Sequence, residues 1–222
     1  GAIVISLISS LFFCVYFIFV THSLPHLFTS LFCLFFSIGW CNQPLWNDSI
    51  NATLLYTVSR IGIICAAASL FSYSLSIISY KFKPVIFYLL LFTAILYSSI
   101  FVGLTIYNAY DKYSSVTFFV GTTSKLFVTP FLILILACFS VNVFLNRSLY
   151  NFLLLASIFM IIVSGFIDVS YIATNSLPYF WLFSYPYFFL IVILFYSISQ
   201  DIKSYIVSSS LIPKLNELIS SS

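Results

Sequence analysis

An all-α, polytopic transmembrane bundle of about seven helices, with its N-terminus outside and its C-terminus inside, is the fold class this sequence predicts. Three observations predict it. Of 222 residues, 62% are hydrophobic and only 6% charged, whereas soluble domains carry about a quarter charged residues; so few charges cannot cover a water-facing surface. Apolar runs long enough to cross a hydrocarbon core about 30 Å thick recur along the whole length. Aromatic residues make up 21% of the chain, yet the strict alternation that an outer-membrane barrel strand requires is absent.

Polar or Pro-containing breaks divide the chain: THSLPH at 21–26, CNQPLWNDSINA at 41–52, YKFKP at 80–84, NAYDKYS at 108–114, NRS at 146–148 and TNSLP at 174–178. The first run, 2–20, has no basic flank and no small-residue cleavage site after it, so it reads as a helix and not as a cleaved signal peptide. The second, 27–40, follows Pro25 and ends in Trp40; it is short for a span, which calls for tilt or extension into its flanking loops. The third and fourth occupy 53–79 and 84–107, the latter opening on Pro84. The fifth, 115–145, contains Pro130, where a kink is expected. The sixth and seventh occupy 149–173 and 178–199. Residues 1–200 thus form the bundle, and 201–222 an amphipathic tail or connector in which Ile202, Tyr205, Ile206, Leu211, Ile212, Leu215, Leu218 and Ile219 recur at helical spacing until Pro213 interrupts them. An opening without Met, directly in an apolar run, suggests a segment of a longer or processed protein.

Lys and Arg set the orientation, because cytoplasmic loops retain an excess of them. With the N-terminus outside, Lys81, Lys83, Arg147, Lys203 and Lys214 face inward and only Lys112 outward. Trp40, Trp46, Tyr107, Tyr110, Tyr113 and Trp181 then gather at the outer interface, where amphipathic rings are favoured.

Three ionisable groups stand inside apolar runs: Arg60 in SRIGII, Lys125 and Asp168. Each costs at least about 2.5 kcal/mol to insert, so such groups face the bundle interior and pair. Their distances from the outer helix ends, at 1.5 Å per residue, give depths of roughly 9 to 15 Å, all in the outer leaflet. A compensated cluster of two cations and one carboxylate, with net positive charge, suits an anionic ligand group. Tyr171 and Ser164 are the polar neighbours along the sixth helix that complete its hydrogen bonding. The competing reading is that Arg60 snorkels its stem to the outer headgroups.

His22 and His26 are four apart, a spacing compatible with a metal or heme were that turn helical, but Pro25 between them argues for a loop and for two solvated histidines. Cys14, Cys33, Cys65 and Cys138 sit in apolar runs as small side chains, and Cys41 lies in a loop; no CxxC, CxxH or HExxH spacing occurs. No cofactor is implied. Asn47, Asn51 and Asn146 open glycosylation-type triplets that arise easily in a chain rich in Ser and Asn. A Ser nucleophile would find no His within the bundle, and neither paired carboxylates nor a phosphate-cradling Gly loop exists, so no catalytic constellation is visible. A formal net charge of +3, scattered along the chain, does not point to nucleic acid.

The order of features resembles the N-terminal seven-helix membrane region of bacterial sensor histidine kinases and cyclases. FSIGW closes the second helix, SRIGII opens the third, the basic YKFKP loop follows, and GFIDVSYIATNSLP precedes the last helix and its connector. The resemblance covers essentially the entire chain. It implies a sensor in a bacterial cytoplasmic membrane, passing an outside or in-membrane signal through its seventh helix to a cytoplasmic output domain. A second resemblance is to cytochrome c oxidase subunit three, through Thr29-Ser30 with Trp40 downstream and TFFVGT at 117–122. It implies a supporting subunit among other membrane subunits of the mitochondrial inner membrane. Here the Glu expected after Thr29-Ser30 is Leu31, and the His residues expected after FFV are absent. Either way the bilayer is the first partner.

Overall fold

A computed structural model describes residues 2–40, 52–78, 83–110, 129–173 and 184–220, with side chains from 3–39, 57–78, 83–106, 129–165, 167, 184–203 and 206. Every regular element among them is helical. In chain order they are α1 (Ala2–Tyr16) with a π-helical last turn (Phe17–Thr21), α2 (Leu24–Trp40), α3 (Ala52–Ile78), α4 (Pro84–Tyr110), α5 (Thr129–Leu145), α6 (Leu149–Ala173) and α7 (Ser184–Ser220). The chain divides into two compact units, Gly1–Asn151 and Phe152–Ser222.

The turn between α1 and α2 departs from expectation at Pro25. The π turn closes when the His22 N–H donates to the Phe17 carbonyl at 3.0 Å, with His22 at φ 50°, in the left-handed region that ends helices. Ser23 then caps α2, its carbonyl accepting from the N–H groups of His26 and Leu27. Pro25 sits inside the first helical turn, where the N–H it lacks would have had no partner. The second helix therefore gains three residues over the predicted start and reaches 17 residues, about 26 Å. His26, expected in solvent, is instead only 8% exposed, its ring edge-on to Tyr16 at 4.9 Å. His22 is exposed as predicted.

Small residues close the helices of the first unit together. Ser6 donates to the Cys33 carbonyl at 2.7 Å, while Ser10 and Ser30 each donate to the other's carbonyl at 2.9 Å, stapling α1 to α2. Between α2 and α3, Ser59 donates to the Gly39 carbonyl, and one turn on the backbones touch: a Cβ on Gly62 would lie 2.5 Å from Gly39 N and 2.9 Å from the Phe35 oxygen. Within lipid no hydrophobic force drives helices together, so close backbone approach and interhelical hydrogen bonds must do it. Ser10→Ala and Ser30→Ala are each expected to cost about 0.6 kcal/mol in detergent unfolding, the typical size for such bonds, and the two losses to be close to additive, because each hydroxyl bonds a backbone carbonyl that the other substitution leaves in place; two variants with the wild-type midpoint would show that the staple contributes nothing.

Helix α3 is the hub. It packs against α2, α4 and α5, and residues 69–76 are buried without interruption, so every face of that stretch is covered. By contrast only 17% of the Pro84–Ile106 segment of α4 is buried, against 67% of Thr57–Ile78 in α3. Lys83 caps α4, with Pro84 at its first position. The described part of α5 starts at Thr129; the predicted stretch before it, on which the kink expected at Pro130 depends, lies outside the described residues. The NRS triplet at 146–148 is a helix-to-helix turn: the Asn146 N–H closes on the Asn142 carbonyl at 2.8 Å, and Ser148 Oγ accepts the Asn151 N–H at 3.1 Å as the cap of α6.

In the second unit α6 buries Leu154, Ser157, Ile158, Ile161 and Ser164, and α7 buries Tyr187, Leu190, Ile191, Ile193, Leu194 and Ile198, each set mainly on one helical face. The last helix does not stop near residue 199. It continues through Pro213 to Ser220, 37 residues in all, so Pro213, which removes one ladder hydrogen bond, does not end it.

Four of the seven described helices contain segments long and apolar enough to cross a bilayer: Ile3–Thr21, Thr57–Ile78, Pro84–Ile106 and Ser184–Lys203. Leu24–Gly39, Thr129–Leu145 and Leu149–Gly165 are apolar but shorter.

Candidate functional site

Of the three charges expected within the membrane, only Arg60 has a described side chain. It follows Ser59 and precedes Gly62 by two positions on α3, at half-buried exposure, so the α2–α3 crossing fixes the turn that carries it. Lys125 lies outside the described residues; Asp168 and Tyr171 lie on α6 with side chains outside them. Ser164 is buried, and its hydroxyl proton is directed to the Met160 and Ile161 carbonyls of its own helix, at 2.7 and 3.1 Å. Among the described residues no group of three or more His, Cys, Asp or Glu side chains comes together.

The structure reveals two features that the sequence reading passed over, both in the first unit. One is an open apolar groove of about 510 Å³ between α3, α4 and α5, walled by Phe71, Leu90, Tyr97, Ile100, Phe131 and Leu134. Phe131 anchors it: Phe71 meets it edge-on at 5.4 Å and Tyr97 stacks on it at 5.8 Å. The Thr93 hydroxyl on the wall donates to the Leu90 carbonyl at 2.9 Å. Such a lining holds a ligand by contact area alone and suits an apolar one. The signal for it in the sequence was Phe71, Tyr97 and Phe131 on three separate helices, which no periodicity connects.

The other is a polar cluster near the α5–α6 turn. The Tyr73 ring lies 6.1 Å from Phe139, and the Tyr73 and Tyr150 hydroxyls are 3.5 Å apart. Asn142 is buried one turn beyond Cys138. A lone Asn in TPFLILILACFSVNVFL was the available clue.

An all-helical chain with these apolar segments and small-residue crossings is an integral membrane protein of the polytopic helical class. Compared with protein-family models, curated proteins and solved structures, it matches none.

Proposed function

We propose that this chain is a signal-transducing membrane module, oriented N-out and C-in, which takes a signal outside or within the bilayer and passes it to a cytoplasmic output through α7. One observation carries the reading: α7 is a single helix of 37 residues, about 55 Å long, whose apolar segment ends at Lys203. The hydrocarbon core takes about 30 Å of that length. The remainder, with Lys214 and Glu217 in it, extends past the core on the side to which the basic loops assign it. An unbroken helix transmits a rotation or a shift along its axis, whereas a flexible linker would absorb it. The apolar groove of the first unit supports an in-membrane signal over a polar one.

Spin labels at Ser199→Cys and Ser220→Cys, in a background lacking the native cysteines, test the rod directly. A narrow distance distribution near 32 Å is expected for 1.5 Å per residue, and in right-side-out vesicles the Ser220→Cys thiol should resist a membrane-impermeant maleimide. A short, broad distribution removes the mechanical link, and labelling from outside reverses the orientation.

A further inference from the structure

Asn142 is 1% exposed and belongs to the buried stripe Phe131, Ile135, Phe139, Asn142 of α5. Its Oδ1 accepts from Asn146 Nδ2 at a long 3.5 Å. Its Nδ2 has no hydrogen-bond partner among the described residues. A buried amide left unpaired costs about 1–3 kcal/mol in a soluble protein, and hydrocarbon surroundings raise the cost. Turning the amide over exchanges an orphan donor for an orphan acceptor, so the need persists in either orientation.

The neighbourhood supplies both a route and a reason. Asn146, one turn further along α5, is exposed at the α5–α6 turn, so polar groups run from the surface to the buried amide. The Tyr73–Tyr150 and Asn142–Asn146 pairs both stand at 3.5 Å, longer than the 2.7–3.0 Å of a well-formed bond. Both are direct contacts at the limit of hydrogen bonding, too close for a water between them but open to one that shares a hydrogen bond beside them. The occupant must be small enough to reach a fully buried side chain, and must accept one hydrogen bond while donating another.

We propose that Asn142, Asn146, Tyr73 and Tyr150 form an internal water site entered from the α5–α6 turn, with Asn142 Nδ2 donating to the bound water. The site makes this end of the bundle a hydrated notch in an otherwise apolar interior, where buried waters typically take about three hydrogen bonds.

Radiolytic hydroxyl-radical footprinting of the purified protein in nanodiscs reads the site, because radicals generated from bound water label the side chains beside it. Phe139 and Phe13 are equally buried, at 1%, and chemically identical. Phe139 is expected to be modified severalfold faster than Phe13. In Asn142→Leu, which keeps the volume and removes the polar atoms, the Phe139 rate should fall to that of Phe13, while exposed Tyr88 is unchanged. Equal rates for the two phenylalanines in the wild-type protein would overturn the proposal without any variant, and so would a Phe139 rate untouched by Asn142→Leu in folded protein.

Discussion

Gly62→Leu is expected to cost at least about 3 kcal/mol, the upper end for overpacking a tight interior, and to separate α2 from α3. Even the first carbon of the new side chain has no room: it would lie 2.5 Å from Gly39 N, 2.9 Å from Gly39 Cα and 2.9 Å from the Phe35 oxygen. These are backbone atoms, which cannot swing aside as a side-chain tip does. Relief requires the two helices to move apart, and that movement also breaks the Ser59 bond to the Gly39 carbonyl. The loss is therefore cooperative across one turn. Gly62→Ala carries the same clash with less bulk and should fall between the wild type and Leu. Gly103→Ala is the control, since a Cβ there meets nothing within 4 Å; removing a helical glycine gains about 0.5–1 kcal/mol in water, and less is expected in lipid. Unfolding in mixed micelles measures all three. A Gly62→Leu protein with the wild-type midpoint would mean that the helices do not cross there.

The same stretch shows what a sequence of this kind makes legible. Length and apolarity locate helices, and the breaks at YKFKP and NRS fall where α4 and α6 begin, because Pro84 and Ser148 act locally as first-turn and capping residues. Pro25 misled because a proline in a short polar stretch looks the same whether it ends a loop or opens a helix; the difference lies in whether Ser23 caps, which is a backbone geometry. In SRIGII the eye goes to Arg60, whose charge is conspicuous in an apolar run, yet Ser59 and Gly62 make the close contact. Their partner is Gly39, 20 positions from Ser59, and a pairing between two helices leaves no period in either one. Asn142 illustrates the same gap from the polar side: its residue type is visible, but whether its amide is satisfied depends on α3 and the α5–α6 turn. The joining of Arg60 with Lys125 and Asp168 rests on residues whose side chains are not all described, and depth along a helix fixes level without fixing facing.

Phe131→Ala is expected to cost about 3 kcal/mol, the lower end of the range for buried phenylalanine. Phe131 is 3% exposed and ties three helices, through Phe71 of α3 at 5.4 Å and Tyr97 of α4 at 5.8 Å with the rings 4° from parallel. Each aromatic pair contributes about 0.5–1.5 kcal/mol beyond its area. The remainder is the cavity term, since transfer from lipid to an equally apolar interior gains little. What holds the cost to the low end is the adjoining groove of about 510 Å³: the void left by the ring opens into it, and alkyl chains of the surrounding lipid or detergent can fill part of the space. Two companion variants separate these contributions. Phe131→Leu retains most of the volume and loses both ring pairs, so its cost should track the aromatic share alone; Phe144→Ala, on a residue 74% exposed, should stay within about 0.5 kcal/mol of wild type. If Phe131→Leu costs as much as Phe131→Ala, the ring geometry, and not the filled volume, holds α4 and α5 against the hub.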